Sequence, residues 1–282
     1  MQTDAATSDI SMGLPFKKMH GLGNDFVVID ARGSALRVTT ALAVALADRH
    51  RGVGFDQLAV ISAAADADFH LTFWNADGSP SAACGNATRC IARHEMDRTG
   101  KAALNITTDR GLLQAQDAGQ GLTAVNMGHP QTDWQDIPLA SALNTLELPI
   151  GGAPTATSMG NPHCTFFVDD LDKIDLATAG PLIEHHPLFP QRTNVQYVQV
   201  LGRDHLRMRV WERGTGITLA SGSSSCAVVV AAVRRDLAGH QVRLDFDGGT
   251  LDVAWRDDGV WLTGPTMHSF DGLLTAQFLA AL

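Results

Sequence analysis

Long hydrophobic runs, a signal sequence and an excess of basic residues are all missing from this sequence. No apolar run approaches the ~18 residues of a membrane-spanning helix, so we expect no membrane partner. Residues 1–13 lack the basic start and apolar stretch of a signal peptide and are predicted to be a disordered N-terminal extension. The net charge of −9 leaves no basic stripe for nucleic acid. A local pocket can still bind a small anion.

Cysteine is also scarce. None of the four cysteines, Cys84, Cys90, Cys164 and Cys226, belongs to a CxxC pair. Their spacing therefore indicates neither a zinc site nor a redox dithiol. Without a secretory signal we expect reduced thiols in the cytoplasm. Cys90 and Cys226 stand among alanines and valines near predicted helix starts, which favours buried side chains.

What the sequence does contain is an internal repeat with a constant offset of 137 residues. Four landmarks recur at that offset: Trp74 as Trp211, Cys84 as Ser221, Asn24 as Asn161 and Gln57 as Asn194. The offset indicates two copies of one unit, each bringing an equivalent loop to a shared cleft. A site of this kind, with a thiol on one side, suits chemistry on two faces of one carbon.

The predicted strands and helices follow the same order in both copies, which gives an α/β fold. Each copy has strands before a helix of small residues, predicted at 85–98 and 223–235. We assign 14–130 together with 265–282 to the N-terminal half and 131–264 to the C-terminal half.

Cys84 precedes Gly85-Asn86-Ala87-Thr88, where a helix is predicted to begin. A helix N-terminus presents unpaired N–H groups and about half a positive charge. These lower a thiol's pKa from about 8.5, so thiolate becomes available near neutral pH. The same N–H groups can bind a carboxylate. This loop predicts a base beside an anion site, with a buried structural cysteine as the alternative.

The second copy carries serine at the matching position. Ser221, Gly222 and Ser223 open the other helix, and serine is also an ordinary helix cap. The N–H groups of this loop are predicted to bind an anion. A serine hydroxyl, however, is far less acidic than a thiol and needs a neighbour to take its proton.

Polar residues at or beside the landmarks complete the candidates. Asparagine offers a donor and an acceptor, which suits the ammonium and carboxylate of an amino acid. Glu212 and Arg213 suit a distal ammonium and carboxylate, or form a rim salt bridge of little energy. His163 is a candidate to orient a thiol or hold substrate. The asparagines concerned, each with a turn residue as its alternative, are Asn24, Asn75, Asn161 and Asn194.

At these residues the chain resembles the diaminopimelate epimerase family, cofactor-independent enzymes of lysine and peptidoglycan precursor synthesis. The resemblance runs from about residue 16 to 265. Its matching stretches are MHGLGNDFVVID, RGVGFDQL, FWNADGSPSAACGNATRC, SMGNPH, RTNVQ and VWERGTGITLASGSSSCA.

The resemblance implies two similar α/β halves, each a mixed β-sheet curled around a central helix, with the active site in the cleft between them. It implies an amino-acid substrate, no pyridoxal phosphate, no metal and a homodimer. In the family, one cysteine removes the α-proton as thiolate, and another returns a proton to the opposite face.

Carried over by position, the family's functional residues fall on the candidates. Cys84 matches the first cysteine, and the second aligns with Ser221. His163 and Glu212 complete the catalytic set, and the α-carboxylate is assigned to Gly85, Asn86, Gly222 and Ser223. The remaining substrate-binding positions are Asn24, Gln57, Asn75, Asn161, Asn194, Glu212 and Arg213.

Ser221 departs from the family pattern, as do Ser224 and Ser225. An introduced inactivating change and natural divergence both stay open, and three neighbouring departures favour divergence. Losing a positioned acid or base typically costs ~10²–10⁴-fold, so we predict impaired epimerase activity. The alternatives are a one-base isomerase or dehydratase on another amino acid, and an amino-acid-binding protein without catalysis.

Overall fold

Both copies of the repeat fold into the same succession of strands and helices. The computed structural model describes residues 13–34, 36–81 and 84–282, so the predicted N-terminal extension lies outside the described residues apart from Gly13. In chain order the elements are β1 (Leu14–Gly21), β2 (Asn24–Asp30), α1 (Thr40–Ala47), β3 (Gln57–Ser62), β4 (Phe69–Asn75), β5 (Pro80–Ser81), α2 (Gly85–Thr99), β6 (Ala103–Thr108), β7 (Gly111–Gly119), β8 (Leu122–Asn126), β9 (Thr155–Ser158), β10 (Pro162–Val168), α3 (Leu176–Glu184), β11 (Asn194–Gly202), β12 (His205–Glu212), β13 (Gly216–Thr218), α4 (Gly222–Arg234), β14 (Gln241–Phe246), β15 (Gly249–Arg256), β16 (Gly259–Gly264), β17 (Met267–Leu274) and α5 (Ala276–Ala280).

The chain divides into two compact units. The described part of the first is 13–117 with 266–282, and the second is 118–265. The second includes 118–130, which the sequence analysis assigned to the N-terminal half, because β8 pairs with β16. The C-terminal strand β17 pairs with β1 and so belongs to the first unit.

The first unit is a mixed sheet in the order β17–β1–β2–β3–β4–β6–β7, with β5 also paired to β4. The pairs β2–β3 and β4–β6 are parallel, and the other pairs are antiparallel. Consecutive residues of β2 and β3 are buried, so both faces of the sheet are covered. Helix α1 packs on one face through Leu42, Ala43 and Leu46.

Helix α2 is the central helix of the first unit. It packs against β1, β2 and β6, and every residue from Gly85 to Ala92 is buried. A helix buried on all sides needs small residues where it meets its neighbours, and this segment supplies glycine, alanine, threonine and cysteine. The helix ends at Gly100, whose φ of 72° is a left-handed C-cap.

The second unit repeats this arrangement with the order β9–β10–β11–β12–β14–β15–β16–β8, and β13 pairs with β12. Its parallel pairs, β10–β11 and β12–β14, correspond to those of the first unit. Helix α4 is the central helix, buried from Ser224 to Ala232. Helix α3 packs beside β11 and β12.

The register of the strands follows the repeat offset residue by residue. Phe26 pairs with Gln57 in the first unit, and His163 pairs with Asn194 in the second. The turn glycines also correspond, since Gly23 and Gly160 have φ values of 85° and 83°, where a side chain would be strained. The predicted α/β fold of two pseudo-repeated halves, each a mixed sheet with a central helix, is confirmed.

Across the described ranges, the structure contains no helix long and apolar enough to cross a membrane.

Candidate active site

Cys84 caps the N-terminus of α2 in the first unit. Its backbone is extended, with φ −144° and ψ 105°, and its Sγ accepts the Ala87 N–H at 3.4 Å. The Cys84 carbonyl accepts both the N–H of Thr88 at 2.9 Å and its hydroxyl at 2.8 Å, which fixes the cap. The sulfur therefore lies at the positive end of a 15-residue helix, where the thiolate is favoured.

The other cysteines lie in environments that suppress ionisation. Cys90, Cys164 and Cys226 are fully buried, whereas Cys84 is partly exposed. Burial raises the pKa of the Cys90 thiol to about 11, and it raises the pKa of Cys164 as well. The prediction that Cys90 and Cys226 are buried is confirmed. Cys84 is the cysteine whose surroundings suit an acid or base.

Ser221 holds the equivalent cap position on α4 in the second unit. Its φ of −143° and ψ of 121° nearly repeat those of Cys84. Its carbonyl accepts the N–H of Ser225 at 3.0 Å and the hydroxyl at 2.6 Å, as the Cys84 carbonyl does with Thr88. The two helix starts are thus built by the same hydrogen bonds.

The Ser221 side chain, however, has a different partner from the Cys84 side chain. Its Oγ donates to Oε2 of Glu212 at 2.8 Å, and Oε1 of Glu212 accepts the Thr218 hydroxyl at 2.6 Å. Ser221 is 3% exposed. A carboxylate that accepts the hydroxyl proton orients the serine oxygen. It cannot make serine as acidic as a thiol, because an alkoxide beside it would be a second negative charge.

Gln57 and Asn75 take the corresponding places in the first unit. The Gln57 amide nitrogen donates to Oδ1 of Asn75 and to Oγ of Ser81, both at 3.1 Å. Asn75 aligns with Glu212 and Ser81 with Thr218. The repeat therefore keeps a polar cluster beside each helix start but makes it neutral in one unit and anionic in the other.

An asparagine at the start of one strand contacts the central helix in each unit. Asn86 donates its amide N–H to Oδ1 of Asn24 at 3.1 Å. In the second unit Asn161 donates to Oγ of Ser223 at 3.4 Å. Both pairs consist of candidates from the sequence analysis, at matching positions of the repeat.

His163 is buried in the second unit between two amide side chains. Its Nε2 lies 3.0 Å from Oδ1 of Asn161, and its Nδ1 lies 2.9 Å from Nε2 of Gln196. The same Gln196 nitrogen donates to Ser224 at 3.0 Å. Because an amide nitrogen only donates, Nδ1 accepts, and Nε2 carries the proton that the Asn161 oxygen accepts. This arrangement holds the imidazole neutral and fixes the Asn161 amide.

Asn194 and Arg213 are joined through the backbone. Asn194 Oδ1 accepts the Arg213 N–H at 3.0 Å, and its amide nitrogen donates to the Pro162 carbonyl at 2.9 Å. The Arg213 guanidinium donates to the Gln191 carbonyl at 3.1 Å. Together with Asn161 it lines a cavity of about 320 Å³ within the second unit. The cavity offers a cation and amides to an anionic ligand.

Glu184 is a residue of this region that the sequence analysis missed. It is 3% exposed at the end of α3, and it accepts the Trp211 indole N–H at 2.6 Å and the Gly214 N–H at 2.9 Å. It therefore supports the turn that carries Glu212 and Arg213. A lone glutamate at the end of a predicted helix gives no signal of a partner thirty residues away.

Asp25 and Asp56 form a second group that the sequence analysis missed. Arg49 donates to both carboxylates, at 2.9 and 3.1 Å, and Lys18 binds Asp25. Burial opposes ionisation of Asp25, but hydrogen bonds from Arg49 and Lys18 outweigh it and hold its pKa below the ordinary value. Burial, aided by the charge of Asp25, raises the pKa of Asp56. The position of Asp56 directly before Gln57 was the available signal.

No cluster of three or more histidine, cysteine, aspartate or glutamate side chains within the described ranges has an arrangement that could hold a metal ion.

The fold is shared with several solved structures of low sequence identity. A phenazine biosynthesis protein of the PhzF family from Bacillus anthracis superimposes with a TM-score of 0.66 at 16% identity, covering 93% of this chain and 98% of its own. A predicted epimerase from Pseudomonas aeruginosa gives 0.67 at 19%, covering 93% and 99%. A probable proline racemase from Agrobacterium radiobacter gives 0.67 at 13%, covering 92% of each. The fold class is therefore that of these two-lobed α/β proteins.

Sequence similarity defines the family. The diaminopimelate epimerase family model matches residues 16–132 and 155–268. The diaminopimelate epimerase of Rhodospirillum centenum is 51% identical over 271 residues, covering 94% of this chain and 93% of its own. Those of Acidiphilium cryptum and Caulobacter vibrioides are 50% and 43% identical, covering 94% and 93% of this chain and 98% of each relative. The chain belongs to the diaminopimelate epimerase family.

Proposed function

We propose that this chain interconverts LL- and meso-diaminopimelate by removing and returning the α-proton without pyridoxal phosphate. One observation carries the chemical part of the proposal. Two helix N-termini are built by matching hydrogen bonds, one headed by the Cys84 thiol and the other by the Ser221 hydroxyl held on Glu212. The family relationship supports the substrate.

In the proposed reaction, Cys84 acts as the base on one face of the α-carbon. The Cα–H bond breaks, an Sγ–H bond forms, and the electron pair stays on the α-carbon and its carboxylate. N–H groups at Gly85, Asn86, Gly222 and Ser223 are proposed to hold that carboxylate, because a helix N-terminus stabilises negative charge. These donors are fixed by the helices and need no reorganisation during proton transfer.

Ser221 is proposed to be the weaker partner on the opposite face. When its Oγ–H bond breaks and a new Cα–H bond forms, an alkoxide remains beside the Glu212 carboxylate, 2.8 Å away in the resting state. Like charges at this distance disfavour that product, whereas a cysteine would leave a thiolate. We therefore infer a turnover limited by the Ser221 face, within the ~10²–10⁴-fold typical of a lost acid or base.

Substrate recognition is proposed to use the remaining candidates. Arg213 is assigned to the distal carboxylate, since its guanidinium lines the cavity with Asn161. Glu212 is assigned to Ser221, since its two oxygens already accept two hydroxyls. His163 is proposed to act by fixing the Asn161 amide, because both ring nitrogens contact amides.

The experiment that tests Cys84 is α-proton exchange in D₂O, followed by NMR with LL- and meso-diaminopimelate as separate substrates. We expect Cys84→Ala to abolish exchange on at least one isomer. Cys90→Ala is the matched control, because it removes a thiol from the same helix that is fully buried. Exchange by Cys84→Ala at the rate of the Cys90→Ala control would refute the role of Cys84.

A one-base isomerase or dehydratase is the second candidate, and the Ser221–Glu212 hydrogen bond favours it. A site with one thiol can abstract a proton from one face without returning it to the other. Its signature would be exchange or elimination on one stereoisomer without inversion, measured in the same experiment.

We also propose that the chain forms a homodimer through β17. Met267, Phe270 and Leu273 on this strand are each about half exposed or more, at 52, 50 and 58%. Apolar side chains grouped on an exposed strand favour association. Sedimentation equilibrium should give twice the chain mass of 30.0 kDa for the protein and for the control Leu201→Asp, and the single mass for Phe270→Asp. A monomer for the unsubstituted protein would refute this.

Finally, we propose that the enzyme works in the cytoplasm, in lysine and peptidoglycan precursor synthesis. The Cys84 thiol must stay reduced to act as a base, and the cytoplasm provides that condition.

A further inference from the structure

A hydrogen-bonded chain in the first unit runs from a buried cation to a carboxylate through two candidate substrate ligands. Arg89 donates to Oδ1 of Asn86 at 2.9 Å, and Asn86 donates to Oδ1 of Asn24 at 3.1 Å. Asn24 then donates from its amide nitrogen to Oδ2 of Asp56 at 2.8 Å. Arg89 is fully buried and Asn86 is 2% exposed, so water has little access to this end of the chain.

The two ends of the chain dictate its direction. A guanidinium only donates hydrogen bonds, and an ionised carboxylate only accepts them. Asn86 must therefore turn its oxygen towards Arg89 and its nitrogen towards Asn24. Asn24 must turn its oxygen towards Asn86 and its nitrogen towards Asp56. Beyond these bonds each amide keeps a second N–H and a second lone pair for a ligand.

Asp56 is itself held so that both of its oxygens accept. Oδ2 accepts the Asp25 N–H at 3.1 Å in addition to the Asn24 amide. Oδ1 accepts from the Arg49 guanidinium at 3.1 Å. An amide at this position would place an NH₂ group against a donor, whichever way it turned.

The second unit lacks this chain. The repeat offset places Cys226 at the position of Arg89 and Thr193 at that of Asp56. There His163 fixes the asparagine instead, and Asn161 turns its nitrogen, not its oxygen, towards the central helix. The equivalent asparagines of the two copies thus have opposite amide orientations, each set by residues that only one copy contains.

We propose that Arg89 and Asp56 are positioning residues that fix the amide orientations of Asn24 and Asn86 for the substrate. The assignment of those two asparagines to substrate rests on the proposed function, whereas the orientation of their amides does not. Arg89 and Asp56 act through the asparagines and need not contact substrate. Neither was a candidate in the sequence analysis.

The test replaces Asp56 by asparagine and observes the side-chain amides directly. We expect the ¹⁵N–¹H resonances of the Asn24 and Asn86 NH₂ groups to shift and lose protection from solvent exchange in Asp56→Asn. The Asn75 amide, which donates to Ser79 outside the chain, should not change. Asp68→Asn is the matched control, because Asp68 also accepts a backbone N–H and binds a lysine. Unchanged Asn24 and Asn86 resonances in folded Asp56→Asn would overturn the proposal.

A charge-conserving exchange separates positioning from support of the fold. In Asn24→Asp/Asp56→Asn the bond re-forms in the reverse direction, so we expect the melting temperature to recover towards the starting value. We expect kcat/KM to stay reduced by about 10²-fold, since residue 24 then has no N–H for a ligand. Recovery of both quantities would overturn the proposal, because a purely structural role predicts it.

If Asp56→Asn does not fold, Asn86→Asp replaces it, because it puts an oxygen against Asn24 Oδ1 without altering Asp56. Loss of protection at the Asn24 amide would support the chain, and an unchanged resonance would overturn it. If the unsubstituted protein has no epimerase activity, the proposed function fails, but the NMR comparison still decides whether Asp56 and Arg89 orient the amides.

Discussion

Replacing Glu184 by alanine should destabilise the protein and weaken substrate binding. The carboxylate accepts two buried or partly buried N–H groups, from the Trp211 indole at 2.6 Å and the Gly214 backbone at 2.9 Å. An N–H left without an acceptor in the interior costs ~1–3 kcal/mol, so Glu184→Ala should lower the free energy of unfolding by about 2–6 kcal/mol. Arg192 lies 3.8 Å away and is more than half exposed, so its contribution is small.

Two further variants divide that loss between the bonds. Glu184→Gln keeps one oxygen but turns an NH₂ group towards the other donor, so about 1–3 kcal/mol should be lost. Trp211→Phe removes a single donor and should lose a similar amount. In a double-mutant cycle, Glu184→Gln with Trp211→Phe should lose less than the sum of the single changes, because both affect one hydrogen bond.

The assay is urea unfolding together with steady-state kinetics. The turn held by Glu184 carries Arg213, so we expect a higher KM for diaminopimelate and a smaller change in kcat. Glu147→Gln is the matched control, since Glu147 is 55% exposed and pairs with Arg235 at the surface, where such pairs are worth ~0–1 kcal/mol. An unchanged unfolding midpoint for Glu184→Ala, or a loss equal to that of Glu147→Gln, would refute the reasoning.

Three further predictions follow from the structure. Glu95→Gln should lower the free energy of unfolding by about 3–5 kcal/mol, because Glu95 is a 2% exposed partner of Arg32 at 2.8 Å; equal stability would contradict this. Burial opposes ionisation of Glu95, but hydrogen bonds from arginines outweigh it and hold its pKa below 4.5, so its contribution is complete above pH ~4.5 and is lost as pH falls further; acid unfolding curves that coincide with those of Glu95→Gln would exclude it. Gly180→Ala should cost about 1–3 kcal/mol in urea unfolding, since the new methyl would lie 2.5–2.8 Å from the Trp211 ring. Iodoacetamide at pH 8 should modify Cys84 before Cys90 in the native protein, as read by peptide mass spectrometry, because the Cys90 thiol is fully buried with a pKa of about 11; equal rates would contradict this.

The repeat was predictable because it is written in residue identities at a fixed spacing. The landmark pair Gln57 and Asn194 lies at the same register in both sheets, opposite Phe26 and His163. The starts of the two central helices were predictable as well, since small residues following a cap residue are a local signal. Local and periodic signals were therefore sufficient for the fold class and the candidate ligands.

The groups that hold those ligands were not predictable, because they join residues far apart in the chain. Glu184 supports a turn thirty residues away, and Arg89 reaches Asn24 only through Asn86. A charged residue in an otherwise apolar helix, such as Arg89, marks a need for partners but does not say which they are. The direction of an amide also depends on its partners, and only the structure supplies them.

The most direct test of the central claim is α-proton exchange in D₂O by the protein and its Ser221→Cys variant, each with LL- and with meso-diaminopimelate. If Cys84 and position 221 act as the two acid–base groups, the variant should exchange and invert both isomers. The unsubstituted protein should be slower by ~10²–10⁴-fold or act on one isomer only. Interconversion at a rate that Ser221→Cys does not change would contradict the account, and absence of exchange in both proteins would exclude diaminopimelate as the substrate.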